Sequence, residues 1–394
     1  MPILGRYYHF GWPDASQFLP TPDLLQSTIA MSIIRFLIVL GLIALLTFPA
    51  AGRSGKKKKN GEEDVTQTLP LLKDPPPAVI AETGRLSFRV STLSAKGLLS
   101  QQVREALKAL LASNRGATIV KLRAFVAGTG DMRRVQAIVS ELFTERHLPL
   151  PVLSVIQGGA LPLEGSQVVL ESTATEKKIV NPHGVAFLSG QAAPSAEQSV
   201  AQLRTALQGV GLGTEDVLRA TCFLPTLEDI SATRNTLSAA FPAAALNYVQ
   251  VQRAPMKSTV ECEAVARLKK PAGEALRLVN PSGLAASPNY SQVALVGAQR
   301  LVLTGTQMAF RSQDEDVRLA FGRLRKDIEP LGAHFDNVAM SSAYPLTRFI
   351  AERISAMRFE FFNKDRPPAS TLLLFEGLPS LDASFAIDVV AVLP

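Results

Sequence analysis

The chain has 394 residues, room for two to four domains of ordinary size, and its 47% hydrophobic and 19% charged residues describe a folded globular protein and exclude a largely disordered one. The net charge of +7 is modest, and its densest positive run, Lys56 to Lys59, is followed by Glu62, Glu63 and Asp64, which argues for a solvated linker and against a nucleic-acid surface. The two cysteines, Cys222 and Cys262, have no Cys or His at metal-ligand spacing; each lies in an apolar strand pattern, which favours two buried free thiols over a disulfide that requires the strands to be neighbours.

Residues 1–30 are polar and mixed, without a clear period and without an assigned role. From Met31 a positive Arg35, an apolar run from Phe36 to Phe48 and the small residues Ala50, Ala51 and Gly52 give residues 31–52 the layout of a secretory signal peptide whose translation starts at Met31. An uncleaved membrane anchor is the alternative, although the run is shorter than the roughly 20 residues that span a bilayer. Either reading leaves the rest of the chain exported or membrane-anchored, with membrane contact confined to residues 31–50. The lysines after the segment oppose that orientation for an anchor. Residues 53–77, rich in Lys, Gly, Glu and then Pro, form a linker.

Beyond the linker a unit repeats. Gly84 to Val90 alternates as a strand, Val103, Ala106, Leu107, Leu110 and Leu111 recur at helical spacing, and a strand follows over Thr118 to Val126. Asp131 stands where a helix cap belongs, before the stripe Val135, Ile138, Val139 and Leu142. Two strands around Leu161-Pro162 close the unit, giving the order β, α, β, α, β, β. The strand, Xaa-Pro loop and strand recur over Ala244 to Leu268 and over Pro367 to Leu393. The turn sequences Asn181-Pro182-His183-Gly184 and Asn280-Pro281-Ser282-Gly283 mark two openings independently. The boundaries are therefore 78–175, 176–270 and 271–394. The Gly209 to Gly213 run follows a helix and reads as its stop, not as a phosphate loop.

The third copy carries a resemblance in Asn280-Pro281, Tyr290-Ser291, Thr304-Gly305-Thr306-Gln307, Pro368-Ala369-Ser370 and the strand Phe385 to Val392. The second carries it in Phe187 to Gln191 and Val260 to Ala266. These segments resemble the YjgF/Rid family of imine deaminases, once also described as endoribonucleases. The resemblance implies three tandem Rid-like, chorismate-mutase-like α/β (α+β) domains forming an intrachain pseudo-trimer, sheets inward and helices outward, because family members are homotrimers with a ligand cleft at each subunit boundary. A sheet with one apolar face uncovered needs a partner surface, and tandem copies supply it.

The family's reaction depends on an arginine whose fork of donors holds a substrate carboxylate. Nine residues before each loop proline, Pro162, Pro255 and Pro379, stand Leu153, Leu246 and Ser370, and none of them can form that clamp. An acid persists as Glu171, Glu263 and Asp388, either as a general base or as a structural group paired with a cation of a neighbouring copy. The cleft tyrosine of the family matches Tyr290 alone. Ligand-binding candidates are thus Tyr290, Ser370, Leu153 and Leu246, and catalytic candidates Asp388, Glu263 and Glu171. His147, His183 and His334 are scattered and read as surface or turn residues, so neither a metal nor another cofactor is implied. The expectation is a monomeric chain, diverged from the family's chemistry, that holds a small molecule or a partner between its copies. The alternatives are a hydrolase acting on an imine at one cleft, or a purely structural protein of the cell envelope.

Overall fold

A computed structural model describes residues 72–393, so the segment read as a signal peptide or anchor lies outside the described residues. Among the described residues no helix is long and apolar enough to cross a membrane. In chain order the first unit comprises β1 (Ala78–Glu82), β2 (Leu86–Val90), α1 (Leu99–Ser113), β3 (Thr118–Val126), α2 (Arg133–Glu145), β4 (Val152–Gln157) and β5 (Val168–Thr175). The second has β6 (Val185–Ala193), α3 (Ala196–Gly209), β7 (Val217–Leu224), α4 (Ile230–Ala240), β8 (Ala245–Gln250) and β9 (Val260–Arg267). The third has β10 (Leu276–Val279), β11 (Val293–Val296), β12 (Arg300–Thr304), β13 (Gln307–Ala309), α5 (Asp314–Ile328), β14 (Val338–Pro345), α6 (Arg348–Met357), β15 (Ala369–Leu372) and β16 (Phe385–Leu393).

Local chemistry accounts for the helix limits. Val103, Ala106, Leu107 and Leu110 put one face of α1 into the core, and the Asn114 side chain ends it by donating to the Leu110 carbonyl at 2.7 Å. Asp131 acts one residue before the cap position, its Oδ1 accepting the Arg133 N–H at 3.0 Å. Ser195 and Thr347 cap α3 and α6 with their hydroxyl oxygens. Gly211, with φ +74°, turns the chain after α3, as its glycine run suggests.

The strands of the described residues form three sheets, ordered β2-β5-β3-β4, β10-β11-β6-β9-β7-β8 and β1-β12-β16-β14-β15, with β13 also on β16. In each sheet one parallel pair, β3/β4, β7/β8 or β14/β15, lies beside a long antiparallel strand, β5, β9 or β16. Two of the sheets borrow strands. β1 from the start of the first unit pairs with β12 of the third over Ala78↔Thr304 to Glu82↔Arg300, and β11 pairs with β6 of the second. β11, which lies within the 271–394 bounds of the third copy, therefore belongs to the second sheet.

Each sheet packs its own helices on one face, giving three separate apolar clusters. The opposite faces meet in clusters drawn from all three units: Phe88 and Val152 from the first, Phe187 and Val265 from the second, Leu303 and Val390 from the third. Phe125, Phe223 and Phe375 pack with centroids 5.8 to 6.1 Å apart, and each is fully buried. Burying such a ring contributes about 1.5–3 kcal/mol relative to exposure.

The two cysteines are not free thiols. Cys222 of β7 and Cys262 of β9 face each other directly in the antiparallel ladder, with Cα atoms 4.1 Å apart, and form a disulfide. Periodicity placed both on strands; the pairing of those strands, 40 residues apart in sequence, is what brings the sulfurs together.

Candidate functional site

The three acids expected from the sequence converge where the sheets meet. Strand register puts Arg123, Thr221 and Ser342 opposite Glu171, Glu263 and Asp388. The same three residues stand beside Ser154, Asn247 and Thr371 on the parallel strands. One residue pair further along lies a row of Phe125, Phe223 and Tyr344, and on the other side a row of Lys121, Arg219 and Met340. The inner face is thus layered into aromatic, acidic and basic rows.

All three acids are buried, and cations from the first two units neutralise them. Lys121 Nζ donates to Asp388 Oδ1 at 2.6 Å, and Ser154 and Tyr344 donate to Oδ2 at 2.8 and 3.1 Å. Arg123 bridges two carboxylates, with Nε 2.8 Å from Glu171 and Nη2 2.6 Å from Glu263. Arg219 adds looser pairs at 3.5 and 3.7 Å. Thr221 and Asn247 donate to the second oxygen of Glu171 at 2.6 and 2.7 Å. At the third position of this pattern Thr371 Oγ1 and Glu263 Oε2 have no hydrogen-bond partner among the described residues.

These contacts decide the protonation states. Burial pushes the Glu171 carboxyl up, but Arg123, Arg219 and the bonds from Thr221 and Asn247 outweigh it and hold it at about 2. Burial lowers the Arg123 guanidinium, and Glu171 and Glu263 more than reverse that, so it stays charged. For Lys121 burial prevails over the attraction of Asp388, and its pKa falls. The cavity among these side chains measures about 40 Å³, space for a water or two and not for an organic substrate.

Of the expected ligand residues, Leu153 and Leu246 pack against the helix-side cores of their own units. The reason is strand alternation: their neighbours Ser154 and Asn247 take the inward face. Tyr290 and Ser370 do come together, at the junction of the second and third units. The Ser370 N–H donates to Ser189 Oγ at 2.8 Å, Ser189 Oγ donates to the Ser291 carbonyl at 2.7 Å, and Ser291 bridges to Ala369. Tyr290 lies beside this bridge.

Glu261 joins this junction without having been foreseen. It stands opposite Phe223, one row from Glu263, where the other units carry Val169 and Ala386. Its carboxylate covers Gly190, where a Cβ would come within 1.9 Å of Oε1, so a side chain at 190 would displace the Glu261 carboxylate. Burial, reinforced by the charge of Glu263, pushes the Glu261 carboxyl up to about 8. Burial and then Glu261 raise the Tyr290 phenol in turn. The alternation in Val260-Glu261-Cys262-Glu263 was the available signal, since it places two acids on one inward face.

Comparison with known proteins finds similarity over part of the chain. Residues 180–268 match the family model described as endoribonuclease L-PSP. No curated protein matches the chain. A Rid-family protein from Yersinia pestis is 16% identical over 30% of this chain and 100% of its own, with a TM-score of 0.28. A member of the YjgF/YER057c/UK114 family from Mycobacterium tuberculosis is 19% identical over 30% of this chain and 98% of its own, with a TM-score of 0.22. A YjgF-family protein from Neisseria meningitidis is 13% identical over 30% and 95%, with a TM-score of 0.23. The similarity to the endoribonuclease L-PSP family thus falls on the second unit.

Proposed function

We propose that this protein is a diverged, non-catalytic member of the family, an intrachain pseudo-trimer that holds a small ligand at the junction of its second and third units. One observation carries the reading: Leu153, Leu246 and Ser370 occupy the positions where the family resemblance calls for an arginine, while Glu171, Glu263 and Asp388 are engaged by Lys121, Arg123 and Arg219. A carboxylate locked in a charge pair is a poor proton shuttle. The junction of Ser189, Glu261, Tyr290 and Ser370 remains as the polar group not consumed in this way. Export is supported by the Cys222–Cys262 disulfide, which persists in oxidising compartments.

A second reading, an imine hydrolase, is favoured by Glu261, whose elevated pKa suits a general acid or base near neutral pH. Ammonia release from imines generated in situ by an amino-acid oxidase separates the two. The lead reading expects no acceleration over the uncatalysed rate. Acceleration that Glu261→Gln abolishes and Glu261→Asp partly keeps establishes the hydrolase instead.

A further inference from the structure

Arg358, in the turn after α6, is 3% exposed, and its Nε and Nη2 have no hydrogen-bond partner among the described residues. Its one close aromatic contact is the Phe362 ring, 5.3 Å from Cζ. Burial lowers the guanidinium to about 10, and no acid among the described residues offsets it. A buried lysine or glutamate in this position sheds its charge; an arginine remains protonated in the physiological range. Burying an ion without a counter-charge costs several kcal/mol, and native structures leave few buried donors of this kind unpaired.

Which donors are unpaired matters more than their number. Nε–H and the adjacent Nη2–H form one edge of the guanidinium, two parallel donors spaced to meet two oxygens of one oxyanion. Elsewhere in the molecule that same edge is filled in this way. Arg318 gives Nε and Nη2 to the two oxygens of Glu360 at 2.7 and 2.9 Å, and Arg133 gives them to Asp131 at 2.9 and 3.0 Å. Those edges are exposed, whereas the edge of Arg358 is buried.

We propose that the Nε/Nη2 edge of Arg358 is an anion site that takes the carboxylate of a small ligand, or two oxygens of a phosphate. This site shares no residue with the junction proposed above and stands independently of that reading. The test is thermal unfolding of the full chain at constant ionic strength, with chloride replaced by acetate or by inorganic phosphate. Wild type is expected to gain Tm with the logarithm of the oxyanion concentration. Arg358→Met is expected to lose that response, and Arg358→Lys, which keeps the charge without the fork, to weaken binding by about tenfold or more. Arg318→Met should respond as wild type does. Equal shifts in wild type and both Arg358 variants, or no shift in wild type, overturn the proposal. So does a response that appears only once Glu62→Gln, Glu63→Gln and Asp64→Asn are introduced together, which assigns the counter-charge to the chain itself.

Discussion

Lys121 and Asp388 stand 267 residues apart in the chain and 2.6 Å apart in space. Their pairing ties the first unit to the last strand of the third, in the layer where Arg123 ties the first unit to the second. Removing one partner strands the other in a buried site. Lys121→Met is therefore expected to cost about 3–5 kcal/mol in urea unfolding, and Lys121→Met with Asp388→Leu to recover much of it. A double variant no more stable than the single one contradicts this account.

Glu171 gives the acid limb of stability. Its folded pKa of about 2 lies below the unfolded value, so its contribution is fully present above the usual carboxylate range and lost as pH falls toward 2. The depression corresponds to about 3 kcal/mol. Unfolding of wild type and Glu171→Gln from pH 7 to pH 2 should converge at the acid end.

Glu261 has the opposite sign. Its folded pKa is raised to about 8, so wild type loses stability as pH rises from the unfolded value through 8. Glu261→Gln should be increasingly more stable than wild type over that window, by up to about 5 kcal/mol, and the difference should level off above it. A constant difference between pH 5 and pH 9 removes Glu261 as the titrating group.

The disulfide is expected to contribute about 2–4 kcal/mol. Cys222→Ala with Cys262→Ala should lower the urea midpoint by that amount, and native alkylation of the oxidised wild type should label no thiol.

Ala81, 3% exposed in β1, pairs with Leu301 of β12. Ala81→Asp is expected to strip hydrogen-exchange protection from residues 300–304 while leaving Val217–Leu224 protected. Loss at both places shows that β1 supports the whole assembly and not one sheet. Multi-angle scattering should find a single chain.

Much of this was legible in the sequence. The strand Thr118–Val126 and the helix stripes follow from apolar period, and the acids Glu171, Glu263 and Asp388 were located by their place in each closing strand. What remained hidden is non-local. Nothing in Ala78–Glu82 says that its edge pairs with Arg300–Thr304, since a strand's own pattern specifies a face and not a neighbour. Cys222 and Cys262 were obscured for the same reason. Leu153 and Leu246 are singled out by their count along the chain, whereas alternation sets them against the helix-side cores.

Arg123 serves two carboxylates belonging to different units, and Thr221 and Ser342 hold the matching places in the other sheets. An assembly of identical subunits must write every residue near its axis three times, and three guanidinium groups there would repel one another. One continuous polypeptide is released from that rule. It can set one guanidinium in that row, fill the two matching places with small hydroxyls, and let its boundaries differ in charge.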